Sequence, residues 1–304
     1  MRILLVDDPV AKFPNLALMK LSAYHKELKH TVGFDITNPD IIYFSCIFSR
    51  GKDIMEGKIQ FLSSMYPDAK IELGGYGFNK NTLPRYTEHQ MPDYELYDID
   101  YSVGFTSRGC IRNCKFCIVP KNEGFIHDHA PISEFLHPDH NKLILLDNNF
   151  LASPRWKYNI KYIIDHKITV NFNQGLDLRL INNENAKLLS QVKFSTWSFK
   201  SKYLHFAFDN IKLESTIRKG IETLRLNGVK PYRLIVYILC GFNSTHEDDM
   251  HRFNVLRELG CNPYIMKYND RKDDKWLNAF DRWVNGFVYK KASWKDYDYN
   301  PEKI

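Results

Sequence analysis

The sequence lacks any long apolar stretch and lacks the cysteine density of a disulfide-rich protein. No run of apolar residues approaches the roughly eighteen that a membrane-spanning helix needs. The opening stretch, MRILLVDDPV, reaches two aspartates after an apolar run much shorter than the core of a signal peptide. Six cysteines in 304 residues are too few for a disulfide framework. We therefore expect a cytoplasmic protein with reduced thiols and no membrane association.

The chain also lacks a strong charge imbalance. Its formal net charge is +6 and its pI is about 8.8, which permits an anionic partner such as nucleic acid without requiring one. The hydrophobic fraction of 44% can fill a sizeable core. A length of 304 residues suits either one large α/β unit or two modest domains.

The first hundred residues alternate between strand-like runs and amphipathic, helix-like segments. Predicted strands occupy residues 2–8, 40–49 and 70–78, and predicted helices occupy residues 14–28 and 54–67. This alternation predicts a parallel sheet covered by helices. We therefore predict a flavodoxin-like parallel-sheet domain over residues 1–95 of an α/β protein.

One dense group of cysteines lies in the stretch SRGCIRNCKFCIVPKNEG, residues 107–124. Cys110, Cys114 and Cys117 have C-x3-C-x2-C spacing, so three thiolates on one loop can hold three corners of a cubane [4Fe–4S] cluster. A structural zinc ion usually has four protein ligands, and would have to recruit a distant residue such as His127 or His129. The three cysteines therefore suit either an iron-sulfur cluster or a structural zinc ion. The other cysteines, Cys46, Cys240 and Cys261, lie in apolar settings and are predicted core residues.

The three cysteines, with Phe116 before the third, resemble the C-x3-C-x-aromatic-C motif of the radical S-adenosylmethionine (SAM) superfamily. In that family the thiolates bind a [4Fe–4S] cluster whose fourth iron binds SAM. Reductive cleavage of SAM then yields a 5′-deoxyadenosyl radical that abstracts hydrogen from a substrate. The resemblance implies that Cys110, Cys114 and Cys117 are the catalytic and metal-binding residues. It also implies a low-potential electron donor of the flavodoxin or ferredoxin type.

The resemblance further implies a partial (β/α)6 barrel of the TIM type, here over residues 96–270. The sequence alternates as such a barrel requires, with predicted strands at residues 101–107, 142–150, 168–181, 203–210, 232–242 and 263–269. Two intervening helices are predicted to end at Gly228 and Gly260, since glycine commonly follows a helix.

Residues after the predicted strands correspond to cofactor-binding positions of the family. Asp147 and Asn148 follow the second strand, where the amino group of SAM binds, although the common Gly-Gly-Glu sequence is absent. Asp209, after the fourth strand, is placed to accept hydrogen bonds from the ribose hydroxyls. Strand-end Asp and Asn residues are also ordinary turn formers, so a purely structural role is the alternative.

The adenine is expected to lie near two further segments. Gly241, Phe242 and Asn243 follow the fifth predicted strand in a segment that resembles the glycine-containing, adenine-packing segment of the family. The backbone from Phe116 to Val119 is expected to face the same ring. These two segments complete the adenine-binding part of the predicted site.

Polar residues alternate in the stretch NFNQGLDLRL and suggest a lined cavity, because buried polar side chains need partners. We predict that Gln174 and Arg179 bind the cofactor, with Arg179 positioned to hold a carboxylate through two hydrogen bonds. An equally weighted alternative is a structural salt bridge between Asp177 and Arg179.

The two ends of the chain carry weaker signals. The amino-terminal domain resembles the cobalamin-binding-like domain of some radical SAM enzymes, but the D-x-H-x-x-G signature is absent, which argues against bound cobalamin. Residues 271–304 are predicted to form a helical cap, because Trp276, Phe280, Trp283 and Phe287 recur at helical spacing. Stacking of these aromatic residues on nucleic acid is the alternative.

The substrate is left open by the sequence. A small molecule, a peptide and a nucleic acid all suit the motif, and a methylthiotransferase-like RNA-modifying enzyme is one alternative. A zinc-stabilised nucleic-acid-binding module without catalysis is another, because the chain is mildly basic and a zinc ion could use the same cysteines.

Overall fold

The computed structural model describes residues 1–79, 82–271 and 273–299, which form an α/β protein with parallel sheets and ten α-helices in these ranges. The strands are β1 (Arg2–Asp7), β2 (Thr31–Gly33), β3 (Ile41–Ser45), β4 (Lys70–Gly74), β5 (Ser102–Gly104), β6 (Ser107–Arg108), β7 (His127–Asp128), β8 (Lys142–Leu145), β9 (Thr169–Phe172), β10 (Lys193–Phe194), β11 (Leu204–Ala207), β12 (Leu234–Cys240) and β13 (Asn262–Lys267). The helices are α1 (Leu16–Glu27), α2 (Lys52–Met65), α3 (Arg85–Glu88), α4 (Val119–Asn122), α5 (Ile132–Phe135), α6 (Trp156–Asp165), α7 (Asn183–Leu189), α8 (Glu214–Leu226), α9 (His246–Glu258) and α10 (Lys275–Asn285). Short 3₁₀ helices occupy Ser49–Gly51, Tyr94–Tyr97, Phe150–Ala152, Leu178–Leu180, Ile211–Leu213, Pro231–Arg233, Tyr268–Asp270, Val288–Lys290 and Trp294–Asp296.

The chain folds into two compact units that alternate along the sequence. The first unit contains Met1–Gly104 and Ala130–His140, and the second contains Phe105–His129 and the chain from Asn141 onwards. The cysteine-bearing segment therefore belongs to the second unit, although the residues on both sides of it belong to the first. Among the described helices of both units, none has the length and apolar character needed to cross a membrane.

The first unit is built on a parallel sheet with the strand order β2-β1-β3-β4. Its strands carry apolar side chains on both faces, because successive residues of a strand point to opposite sides. Leu4 and Val6 of β1 pack with Met55 of α2, whereas Ile3 and Leu5 pack with Leu18 and Leu21 of α1. The predicted alternation of strands and helices in this region is confirmed, and β2 is an additional strand.

The second unit contains two groups of parallel strands. In one, β10, β9 and β8 lie side by side in that order, and in the other β11, β12 and β13 do. A parallel bridge between Leu176 and Phe206 links the two groups. The predicted strands around residues 142–150, 203–210, 232–242 and 263–269 are confirmed, with shorter limits. Helices α8 and α9 are followed by Gly228 and Gly260 with φ of +96° and +74°, as predicted for glycines after a helix.

Helix α10 packs beside β13 and shields its edge. Asn285 accepts a hydrogen bond from the Ile265 N–H (2.8 Å) and donates one to the Ile265 carbonyl (3.0 Å), so a side chain replaces a neighbouring strand. The aromatic stripe of α10 is buried at Trp276, Phe280 and Trp283, which confirms that these residues pack. The prediction is wrong for Phe287, which is 48% exposed because the helix ends at Asn285.

Candidate functional site in the second unit

The cysteine loop runs between β6 and α4. Cys110, Cys114 and Cys117 are all free and partly buried. The Cys117 N–H donates to the Cys114 carbonyl (3.0 Å), which gives the second half of the motif a tight turn. Gly109 begins the loop with φ of +74°, and a Cβ there would lie 2.4 Å from the Phe125 carbonyl oxygen. Glycine is therefore required where the loop leaves β6.

The Glu123 side chain, after the last cysteine, connects the two ends of the cysteine loop through hydrogen bonds. Its carboxylate accepts hydrogen bonds from the Arg108 guanidinium (3.1 and 2.9 Å), from the Gly109 N–H (3.0 Å) and from the Asn148 side chain (2.6 Å). Burial raises the pKa of Glu123, but the Arg108 charge and these hydrogen bonds outweigh it and hold that pKa below its usual range. Asn148, a predicted cofactor ligand, is thus engaged with Glu123.

Asp147 fixes the strand that enters the loop. Its two carboxylate oxygens accept four hydrogen bonds, from the N–H groups and the hydroxyls of Thr106 and Ser107, at 2.6 to 3.0 Å. The residue is only 3% exposed, and this burial raises the pKa of its carboxyl group despite the four donors. Contact between Asp147 and a cofactor stays a prediction; in the structure its carboxylate holds the backbone before the cysteines.

A second charged cluster lies at Cys110. Arg179 donates two hydrogen bonds to Asp177 (2.6 and 2.9 Å), and Arg112 donates a third (3.1 Å). Burial raises the pKa of Asp177, but the hydrogen bonds and positive charges of the two guanidiniums have the larger effect and hold that pKa below its usual range. The Asp177 carboxylate therefore stays ionised. Asn149 donates to Cys110 Sγ at 3.5 Å and approaches Asp177 at 3.4 Å. The predicted salt bridge between Asp177 and Arg179 is present, and binding of the cofactor by Arg179 stays a prediction.

Several predicted residues surround one cavity of about 500 Å³. Phe116 comes from the cysteine loop, Asp209 follows β11, and Phe242 and Asn243 follow β12. The Phe116 and Phe242 rings meet edge to face, with centroids 5.5 Å apart. Burial raises the pKa of Asp209, whose carboxylate accepts a hydrogen bond from the Leu239 N–H (3.3 Å). The structure thus brings together four residues from three separate segments, and their binding of a cofactor stays a prediction.

Six other predicted cofactor-binding residues are not among those that line this cavity: Asp147, Asn148 and Arg179, whose contacts are given above, and Val119, Gln174 and Gly241. Gly241 has φ of +79° and its carbonyl accepts a hydrogen bond from Arg271 (3.0 Å). Val119 is the first residue of α4, and Gln174 is exposed in the turn after β9. Their cofactor contacts stay predictions that rest on the resemblance.

Arg252 was missed by the sequence reasoning. It lies on α9, lines the cavity and is fully buried, and its guanidinium donates to the Phe208 carbonyl (2.8 Å) and the Leu239 carbonyl (2.9 Å). It also pairs with Asp249, which is 1% exposed. Arg252 therefore joins the carboxyl ends of β11 and β12, the strands that lead to Asp209 and Phe242. The surrounding sequence, HEDDMHRFNVLRE, is rich in charged residues and resembles a solvent-exposed helix face. It therefore does not indicate that Arg252 is buried between two strand ends.

The cysteines fit an iron-sulfur cluster in kind and number, since three unpaired thiols share one loop and two N–H groups approach the Cys110 sulfur. Within residues 1–79, 82–271 and 273–299, no three His, Cys, Asp or Glu side chains are gathered so that they could hold a metal ion. His127 instead contacts the Phe125 carbonyl (3.0 Å). Neither the cluster nor the zinc arrangement is preformed in the part of the chain described.

No family model and no curated protein matches this chain significantly. A solved structure that resembles it is the apo, selenomethionine-labelled form of the cobalamin-dependent S-adenosylmethionine radical enzyme OxsB. The two chains are 15% identical, and the match covers 88% of this chain and 49% of that one, with a TM-score of 0.41. This chain thus spans about half the length of that enzyme. A likeness this distant assigns neither a fold nor an activity to the protein.

Proposed function

We propose that this protein is a radical SAM enzyme. The observation that carries the proposal is the C-x3-C-x-aromatic-C motif, whose Phe116 lines one cavity with Asp209 and Phe242. The motif predicts an iron-sulfur cluster that cleaves SAM, and the cavity supplies space beside it for a nucleotide. A volume of about 500 Å³ lies within the usual range of small-molecule sites.

In this proposal Cys110, Cys114 and Cys117 would hold a [4Fe–4S] cluster as thiolates. When bound and reduced, such a cluster would supply one electron for the cleavage of SAM into methionine and a 5′-deoxyadenosyl radical. The residues of this chain position the cofactor and exclude water from the reacting atoms. The N–H groups of Arg112 and Asn149 lie near the Cys110 sulfur and would stabilise its thiolate.

The cavity residues would bind the nucleoside part of SAM. Asp209 would accept hydrogen bonds from the ribose hydroxyls, since its carboxylate has remaining acceptor capacity beside its contact with the Leu239 N–H. Phe116 and Phe242 would contact the adenine, because their edge-to-face pair presents apolar ring surface to the cavity. Arg252 would hold the two strand ends that carry these groups at a fixed separation.

The proposed domain organisation follows from the same resemblance. Residues 1–95 would be a cobalamin-binding-like, flavodoxin-like domain, residues 96–270 the partial (β/α)6 barrel, and residues 271–304 a helical cap. The two groups of parallel strands in the second unit support the barrel. The enzyme would act in the cytoplasm with a low-potential flavodoxin or ferredoxin as electron donor.

Anaerobic reconstitution with iron and sulfide tests the proposal. We expect about four irons per chain, a brown protein, and 5′-deoxyadenosine release from SAM after reduction with dithionite. A Cys114→Ala variant should lose the iron and keep its fold by circular dichroism. The matched control is Cys261→Ala, which removes a buried cysteine outside the motif and should keep the iron. One tightly bound zinc per chain, with no SAM cleavage, would replace the proposal with a zinc-binding module.

A further inference from the structure

The segment that contains β10 and leads into β11 is positively charged. Residues 185–208 contain four lysines and no aspartate or glutamate, in a chain whose formal net charge is +6. Three of these lysines, Lys193, Lys200 and Lys202, are exposed. In the part of the chain that the structure describes, none of the three forms an ion pair. The positive charge of these side chains is therefore not cancelled by a described carboxylate.

Hydrogen bonds close the chain between the first and the last of these lysines into a small loop. The Ser195 hydroxyl and the Thr196 N–H both donate to the Ser201 carbonyl, at 2.9 and 2.8 Å. The Phe199 N–H donates to the Thr196 carbonyl (2.9 Å), and the centroid of the Phe199 ring lies 5.7 Å from the Lys142 Nζ. The lysines are therefore presented by an ordered loop, and a partner would bind without first ordering it.

Two aromatic rings are exposed beside the lysines. Trp197 lies within the loop and is 52% exposed. Tyr232 is 57% exposed, and the sheet brings it to the loop. Leu204 of β11 pairs with Leu234 of β12, and Lys202 and Tyr232 each lie two residues before these paired positions. The surface therefore combines cations with exposed aromatic rings.

This surface and the cavity lie at opposite ends of the same strands. Lys202 and Tyr232 precede β11 and β12, whereas Asp209 and Phe242 follow them. A partner bound at the loop therefore leaves the cavity residues unoccupied.

From this arrangement we propose that Lys193, Trp197, Lys200, Lys202 and Tyr232, here called the basic aromatic surface, bind single-stranded RNA. Lysines that contact no carboxylate attract a polyanion, and exposed aromatic rings stack on bases. A double helix keeps its bases paired and stacked, whereas the loops of RNA present unstacked bases to proteins. The three lysines contact phosphates of the RNA, and the Trp197 ring stacks on a base. The inference goes beyond the proposed function and adds a macromolecular partner to it.

The salt dependence of RNA binding tests the three lysines. The probe is a fluorescein-labelled oligouridine of about twelve nucleotides, and its anisotropy is followed during titration with the full chain. In a single strand, each phosphate that a lysine neutralises contributes about −0.7 to the slope of the logarithm of the association constant against the logarithm of salt concentration. Three contacts give the wild type a slope of about −2, and Lys200→Gln or Lys202→Gln should each change it to about −1.4. The matched control is Lys219→Gln, at an exposed position of α8 that likewise forms no ion pair with a described residue, and it should keep the wild-type slope.

The Trp197 ring is tested by a change that leaves the charge intact. Trp197→Ala should weaken RNA binding about fivefold or more, because a stacked base is lost, and should keep the wild-type slope. Trp197→Phe retains a ring and should recover most of the affinity. Tyr158→Ala removes a ring that is 60% exposed on α6 and should bind RNA as the wild type does. Equal RNA affinities in all variants, or no RNA binding by the wild type, would overturn the proposal. Tighter binding of duplex DNA or of phosphatidylserine vesicles than of the oligouridine would also overturn it.

SAM cleavage separates this inference from the proposed function, on which it does not rest. With dithionite as reductant and no RNA present, Lys200→Gln and Trp197→Ala should release 5′-deoxyadenosine at the wild-type rate, because both changes lie at the other end of the strands from the cavity. A wild-type protein that binds the oligouridine but cleaves no SAM would contradict the proposed function alone. One that cleaves SAM but binds no oligouridine would contradict this inference alone.

Discussion

Replacement of Asp147 by alanine should destabilise the second unit, because this carboxylate accepts four buried hydrogen bonds from Thr106 and Ser107. The two hydroxyls can rotate towards other acceptors, whereas the two backbone N–H groups cannot move. Leaving two buried donors unsatisfied costs roughly 1 to 3 kcal/mol each. Removing a buried charge returns part of this cost. We therefore expect the free energy of unfolding to fall by about 3 kcal/mol.

The assay is guanidinium unfolding of the cluster-free protein, followed by tryptophan fluorescence. It reports on the second unit, because all five tryptophans lie there, at positions 156, 197, 276, 283 and 294. Asp165→Ala, at an exposed position on α6, is the matched control and should change stability by less than about 0.5 kcal/mol. If Asp147→Ala is as stable as this control but binds S-adenosylhomocysteine more weakly, Asp147 is a cofactor ligand and the structural reasoning is refuted.

Two further predictions concern the loop and the cavity. Gly109 and Gly124 have φ of +74° and +72°, but an added Cβ meets the Phe125 carbonyl at 2.4 Å in the first case and nothing within 4 Å in the second. Gly109→Ala should therefore lower the melting temperature and the reconstituted iron content well below those of Gly124→Ala, and equal values would contradict this clash. Arg252→Met leaves Asp249 as an unpaired buried charge and should cost about 3 to 5 kcal/mol in denaturant unfolding. Adding Asp249→Leu should recover most of that loss, and a double variant no more stable than the single one would show that the ion pair is not the cause.

The regular elements were largely predictable from the sequence, because apolar periodicity reports directly on burial. Strands such as β1 and β12 appear as apolar runs, and the buried positions of Cys46, Cys240 and Cys261 follow from their apolar neighbours. The gathering of Phe116, Asp209 and Phe242 around one cavity was anticipated only through the family resemblance, since the three residues are far apart in sequence.

The roles of individual polar residues were less predictable. An aspartate after a strand has the same local sequence whether it binds a ligand or, like Asp147, accepts hydrogen bonds from residues about forty positions earlier. Arg252 lies among charged residues on a helix, and only the folded chain shows that its guanidinium is enclosed between two strand ends. Phe287 continues the helical spacing of its aromatic neighbours, but the helix has already ended. Such outcomes depend on long-range contacts, which a local pattern does not contain.

The order of the two units along the chain has a practical consequence. Because residues 130–140 return to the first unit after the cysteine segment, no single peptide bond separates one unit from the other. Truncation near residue 104 would deprive the amino-terminal fragment of Ile132 and Phe135, both of which are buried. Expression of the first unit alone would therefore require residues 1–140 with the cysteine segment replaced by a short linker.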